Sequence, residues 1–239
     1  MTIGFILDMD GTLVDSTGII KRIQTEIMKK FNIILTAERE KELERLAESM
    51  FQESYSTRLA VKIMWTLLKE VGLTTYQRIK ALVLAGKLYV KEVKNLKLYD
   101  GIKDLFEFLD NNSHKYIIVT SSSDKTARRY LMKYPKLYNK LNNKIISSDS
   151  VNNLKPHPEA LEMASKIMGV PYDRIVVVGD TKYDILFGKS VNAITIGVLT
   201  GIYTEELLEK LEPDFIFDSV ADIPQNIEQI MERINLKNK

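Results

Sequence analysis

Ile3-Gly4-Phe5-Ile6-Leu7-Asp8-Met9-Asp10-Gly11-Thr12-Leu13 decides how this chain is read. Ile3 to Leu7 is a continuous apolar run, bounded by acid, of the kind expected for a strand buried on both faces of a parallel sheet. It ends at Asp8. Asp8 and Asp10 then occupy alternate positions directly after the strand, where an open sheet keeps its binding crevice. Asp and Gly are also common in turns after strands. Two crowded carboxylates, however, repel each other unless a cation or a proton is shared between them. The stretch points to a divalent metal and to a carboxyl group able to carry a proton.

Working outward, similar short apolar runs recur at Tyr116–Val119, Ile175–Val178, Ala193–Ile196 and Phe215–Phe217, with a weaker one at Lys144–Ile146. Helical spacing lies between them, in Ile102, Leu105, Phe106 and Leu109 and again in Leu161, Ala164 and Met168, where Pro158 suits a first helical turn. Strand and helix thus alternate from about residue 98 onward, predicting an α/β domain with a mostly parallel sheet. Residues 16–94 carry no convincing strand but four apolar stripes: Ile20, Ile23, Ile27 and Phe31; Leu43, Leu46, Ala47 and Met50; Leu59, Ile63, Leu67 and Val71; Ile79, Leu82, Val83 and Val90. The expected organisation is a core of residues 1–15 and 95–239 with a small all-helical cap, 16–94, inserted after the first strand.

Composition excludes several classes. With 34 Lys+Arg against 32 Asp+Glu the formal charge is +2, and the lysines around Lys91, Lys94 and Lys97 read as a solvated helix end. A dedicated nucleic-acid binder carries a stronger, clustered basic excess, so no nucleic-acid partner is expected. The absence of cysteine removes disulfides, thiolate metal sites and cysteine nucleophiles. No apolar run approaches the ~18 residues of a membrane span, and the first is too short for a signal-peptide core, so a cytoplasmic protein without membrane contact is expected.

Further chemistry-bearing residues follow the other strands. Thr120, with Ser121 and Ser122 after it, offers hydroxyls that can donate to a phosphoryl oxygen. Lys155-Pro156-His157-Pro158 places a compact positive charge ahead of a helix. Gly179-Asp180-Thr181-Lys182-Tyr183-Asp184 supplies an acidic pair whose hard oxygens suit magnesium. Of the two histidines, His114 reads as a loop residue and His157 lies between prolines beside Lys155.

Taken in order, Asp8-x-Asp10-Gly11-Thr12-Leu13, Thr120, Lys155 and Asp180 with Asp184 resemble the four signatures of the haloacid dehalogenase superfamily, and the chain is most similar to its phosphoglycolate phosphatase-like branch. The resemblance implies a Rossmann-like core with a helical cap and hydrolysis of a small phosphorylated metabolite. It implies Asp8 as the nucleophile and Asp10 as the acid and then the base. Asp8, the backbone carbonyl of Asp10 and Asp180 would hold Mg2+, with Asp184 orienting the site, and Thr120, Ser121 and Lys155 would bind the phosphoryl group. An acid at position 10 separates phosphoryl transfer from dehalogenation. A sugar phosphomutase would keep the same residues, and a phosphate-binding module without turnover is the reading from another class. Substrate choice is assigned to the cap around Ser49 to Arg58, where Arg58 is either an anion-binding fork or a solvated surface arginine. After Asp184 the family's alanine-rich helix is replaced by Ile185-Leu186-Phe187-Gly188-Lys189-Ser190.

Overall fold

The computed structural model describes residues 1–50 and 57–237, with only the backbone described for Glu48 and residues 57–60. Six strands, β1 (Gly4–Leu7), β2 (Lys115–Val119), β3 (Ile145–Ile146), β4 (Ile175–Gly179), β5 (Ile194–Val198) and β6 (Phe215–Phe217), form one sheet in the order β3-β2-β1-β4-β5-β6. Every neighbouring pair is parallel. This is the expected α/β architecture. β1, β2 and β4 are apolar throughout their inner positions because helices cover both faces of the sheet.

The chain fills one half of the sheet from β1 out to β3, then returns to β1's other edge with β4 and continues to β6. Leu7 pairs with Ile118 on one side and Val178 on the other, so the residues just past the ends of β1, β2 and β4 come together where the strand order reverses. Open parallel sheets bind ligands at that point.

Two compact units are present, Met1–Thr17 with Leu96–Lys239, and Gly18–Asn95. The second contains α1 (Thr17–Lys30) from Gly18 on, α2 (Ala37–Met50), α3 (Thr57–Glu70) and α4 (Thr75–Val93). α4 opens with a reciprocal cap, Gln77 N donating to Thr74 Oγ1 and Thr74 N to Gln77 Oε1. Arg39 donates to Glu70 and joins α2 to α3. The Arg78 guanidinium lies 4.2 Å above the Trp65 ring, joining α3 to α4.

Two of the apolar stripes are corrected. In α1 the buried line is Ile19, Ile23 and Ile27, while Ile20 is exposed, because the true spacing is i, i+4, i+8. In α4 the buried residues are Ala81, Ala85 and Val93, whereas Ile79, Val83 and Val90 are exposed. Small residues let a helix approach its neighbours closely, and hydropathy alone ranks them below the larger residues on the other face.

In the first unit the helices are α5 (Ile102–Asn111), α6 (Asp124–Leu131), α7 (Pro135–Leu141), α8 (Glu159–Met168), α9 (Lys182–Lys189), α10 (Glu205–Glu209) and α11 (Ile227–Lys237). α5 buries Ile102, Leu105, Phe106 and Leu109, and α8 buries Leu161 and Ala164 with Met168 partly covered. Each fully buried side chain of this size contributes roughly 1.5–3 kcal/mol of transfer free energy. α9 packs although it lacks the alanines, since Ile185, Phe187 and Gly188 are buried and Gly188 lies against Thr195 and Val177. His114 lies in the loop between α5 and β2, as expected; it is buried there, accepts a hydrogen bond from Ile3 N at 3.3 Å, and burial lowers its imidazole pKa. Among the described residues, no helix is long and apolar enough to cross a membrane.

Candidate active site

The end of β1 is held by Asp8 N donating to Val178 O at 2.9 Å, which fixes the Asp8 backbone to the adjacent strand. The chain then turns sharply. Leu13 N and Val14 N both donate to Met9 O, and Gly11 N donates to Val14 O. Gly11 has φ of +85°, and a Cβ there would lie 2.5 Å from Asp180 Oδ2. Only glycine satisfies both demands. Asp8 and Asp10 are thereby carried on a rigid turn at the sheet's switch point.

Lys155 Nζ donates to Asp8 Oδ1 and to Asp184 Oδ1, each at 2.6 Å, and to Val119 O at 3.2 Å. Its three protons therefore have three partners. Burial alone would lower the ammonium pKa, but the Asp184 and Asp8 carboxylates outweigh it and hold it above the ordinary lysine range. The peptide bond joining Lys155 to Pro156 is cis. Asp184 Oδ2 accepts from Thr181 N at 3.1 Å and from Thr181 Oγ1 at 2.7 Å, so the same carboxylate caps α9 and positions Lys155.

Asp180 follows β4 and is buried. Its Oδ2 accepts from Ile202 N at 2.9 Å, while its Oδ1 is buried with no hydrogen-bond partner. Burial first, then the neighbouring Asp184 charge, pushes its pKa up to about 7. Asp8 is raised as well, by burial and by the charges of Asp184, Asp180 and Asp10, against the pull of Lys155.

Asp10 is half-buried and its Oδ2 accepts from Ser122 Oγ at 2.8 Å. Burial raises its carboxyl pKa, and the Ser122 hydrogen bond is the largest influence opposing that rise. Thr120 is buried, and its Oγ1 accepts from Ser122 N at 3.0 Å. Ser121 is half-buried between them. Ser122 was expected as a hydroxyl for the phosphoryl group; its bond to Asp10 was not foreseen. Its signal was alternation, since residues two apart after a strand share a face with Thr120.

The structure thus brings Asp8, Asp10, Thr120, Lys155, Asp180 and Asp184 to one end of three adjacent strands. His157 stays outside the cluster, and its Nδ1 accepts from Glu159 N. Residues 51–56 and the Arg58 side chain lie outside the described residues.

The sequence matches the haloacid dehalogenase-like hydrolase family over residues 5–198. The chain belongs to that family. Several curated relatives bear the name Pyrophosphatase PpaX. That of Listeria monocytogenes serotype 4a is 28% identical over 220 residues, 91% of this chain and 93% of the relative. That of Halalkalibacterium halodurans is 32% identical over 132 residues, so the match spans 54% of this chain and 60% of the relative. A crystal structure described as a predicted phosphoglycolate phosphatase from Haemophilus somnus 129PT superposes with a TM-score of 0.71 at 23% identity, covering 95% of this chain and 97% of the other. That likeness is one of fold.

Haloacid dehalogenase-like hydrolases use a divalent metal, and the residues present here fit one. Asp8, Asp180 and Asp184 each offer a carboxylate oxygen, all within 4.8 Å of one another. Three carboxylates face one lysine, leaving buried negative charge uncompensated, and Asp8 and Asp180 are raised by burial first and by that excess second. The unpartnered Asp180 Oδ1 is the ligand atom left for a cation. Asp184 already uses one oxygen for Lys155 and the other for Thr181, which favours Asp8 and Asp180 as the direct ligands.

Proposed function

We propose that this hydrolase is a magnesium-dependent phosphatase that cleaves small phosphorylated compounds through a phosphoryl group carried transiently on Asp8. The observation that supports it most is the buried Lys155 held at 2.6 Å from Asp8 beside an Asp180 oxygen without a partner. That pairing gives a carboxylate nucleophile a fixed cation on one side and a second carboxylate oxygen able to ligate another cation.

In the first step an Asp8 oxygen attacks phosphorus and the bond to the leaving oxygen breaks, with Asp10 giving its proton to that oxygen. In the second step Asp10, now a carboxylate, takes a proton from water, the water oxygen attacks phosphorus, and the Asp8–phosphorus bond breaks. Phosphate leaves with Asp8 and Asp10 restored. The raised Asp10 carboxyl suits a group that must hold a proton before it gives it away. Thr120 and Ser121 donate to the phosphoryl oxygens, and Lys155 offsets their charge. Asp8, Asp180 and the Asp10 backbone carbonyl would hold Mg2+, which when bound supplies further positive charge against the phosphoryl group. General acid–base help is worth about 10²–10⁴, so most of the rate must come from these fixed charges.

In the same reading, residues 16–94 act as the cap that selects the substrate, in a cytoplasmic enzyme. Arg58 is assigned to the substrate's own anion, and Arg58→Ala would raise KM for a carboxylated substrate. Pyrophosphate stands beside phosphomonoesters as a candidate because the relative aligned over 91% of this chain is named a pyrophosphatase.

The test is phosphate release from phosphoglycolate, nucleoside monophosphates, sugar phosphates and pyrophosphate, with and without Mg2+, for the wild type and Asp8→Asn. Mg2+-dependent release abolished by the substitution is expected. Isomerisation of a sugar 1-phosphate without release would favour a mutase, and silence toward every compound would favour a binding module.

A further inference from the structure

After β5 the chain passes through Leu199-Thr200-Gly201-Ile202, a segment with no recognisable signature. Its contacts are nonetheless specific. Ile202 N donates to Asp180 Oδ2, and Gly201 lies so close to Asp180 that an added Cβ would overlap its carboxylate. One residue earlier, Thr200 Oγ1 donates to Gly11 O at 2.6 Å, and Thr200 O accepts from Tyr99 Oη at 2.7 Å. Tyr99 is anchored in turn, because Tyr99 N donates to Leu13 O at 3.1 Å and Thr17 Oγ1 lies 3.3 Å from its hydroxyl.

We infer that Thr200 and Tyr99 are positioning residues for the metal-binding carboxylates: they clamp the 199–202 segment, which grips Asp180, onto the Asp8–Leu13 turn, which carries Asp8 and Asp10. This inference rests on the reading of Asp8 and Asp180 as metal ligands. The geometry makes the clamp specific. Ile202 N fixes one Asp180 oxygen while the other has no hydrogen-bond partner, and the residue two before Ile202 is tied to Gly11 O. Gly11 O, the acceptor of the Thr200 hydroxyl, belongs to the residue that follows Asp10, so the same hydrogen bond steadies the neighbouring Asp10 carbonyl. Without the Thr200 hydroxyl the two ligand-bearing segments lose their side-chain tie. Without the Tyr99 hydroxyl, Thr200 O loses its donor and the segment can rotate. Groups that orient ligands in this way set how tightly an ion is held, while the ligands themselves stay intact.

The experiment is calorimetric titration of the full-length protein with Mg2+ alone, no substrate present, for the wild type, Thr200→Val, Thr200→Ser and Tyr99→Phe, with Tm measured for each. Thr200→Val is nearly isosteric and should weaken Mg2+ binding about tenfold. Thr200→Ser keeps the hydroxyl and should remain within about twofold of the wild type. Tyr99→Phe should weaken binding about three- to tenfold, in keeping with loss of one hydrogen bond. In turnover assays both weakened variants should recover most of their kcat at saturating Mg2+, which a general loss of fold would not permit. Equal Mg2+ affinity in wild type, Thr200→Val and Tyr99→Phe would overturn the clamp while leaving the phosphatase reading intact. A wild type that binds no Mg2+ would overturn both. Should Thr200→Val prove unstable, Tyr99→Phe alone decides the matter.

Discussion

Lys155 Nζ lies 2.6 Å from Asp8 Oδ1, with 6% of the lysine side chain and 10% of the aspartate side chain exposed. So buried a pair is a commitment, because removing one partner strands the other in a low-dielectric site. Lys155→Met should therefore destabilise the protein by about 3–5 kcal/mol near pH 8. The sign of its pH dependence follows. Without the ammonium, the buried Asp8 carboxyl is raised further, and a group whose folded pKa is raised contributes stability below its unfolded pKa and loses it as pH rises. The variant should thus recover stability on moving from about pH 8 to about pH 5. Denaturant melts at the two pH values check this, and a deficit that does not shrink at low pH would contradict it.

Ser122 Oγ donates to Asp10 Oδ2 at 2.8 Å. Its hydroxyl is the main influence holding the Asp10 carboxyl down against burial, so Ser122→Ala should let that pKa rise. The pH–kcat limb governed by Asp10 should move to higher pH and kcat should fall about tenfold. A fall in kcat with an unmoved profile would mean that Ser122 serves another purpose.

Two glycines give opposite expectations. Gly201→Ala would press a methyl group onto Asp180, and Mg2+ affinity should fall about 10–100-fold. Gly86, within α4, has nothing within 4 Å of an added Cβ. Gly86→Ala should stabilise by about 0.5–1 kcal/mol through helix propensity, with Mg2+ binding unchanged. Thermal melts and titration of both variants make the comparison.

Far from the site, Asp214 ties α11 to the sheet. It pairs with Arg233 and Lys237 at 2.8 Å each and accepts from Thr195 N at 2.9 Å. Burial would raise its carboxyl, but Lys237, Thr195 and Arg233 outweigh it and leave the pKa lowered. A lowered folded pKa means stability that is present above the unfolded value of about 3.9 and is lost as pH falls through the folded one. Asp214→Ala should cost about 2 kcal/mol near neutral pH. That gap should narrow in acid below about pH 4, and a constant gap across pH would rule out the ion pairs as its origin.

The sequence made legible those features that local pattern controls. Every apolar run read as a strand lies in the sheet, because a strand covered on both faces must be apolar throughout and cannot conceal that in its neighbours. Asp8, Thr120, Lys155 and Asp180, which the structure brings to one end of the sheet, could be picked out as candidates because each follows or precedes an element with a recognisable boundary. The buried face of α4 was misread because Ala81 and Ala85 pack by being small, which hydropathy undervalues. The Ser122 bond to Asp10 was not foreseen, and Thr200 and Tyr99 were passed over, for a different reason. Their roles are hydrogen bonds to residues 112, 189 and 101 positions away, and no local pattern encodes such partners.

The central claim is that Asp8 carries the phosphoryl group, and borohydride trapping tests it most directly. The enzyme is quenched during turnover of its best substrate, reduced, digested and read by peptide mass spectrometry. Reduction of an acyl phosphate should convert Asp8 to homoserine in wild type turning over with Mg2+, and in neither the substrate-free enzyme nor the Asp8→Asn variant. Phosphate release with Asp8 unmodified, or with the label on another residue, would contradict the account.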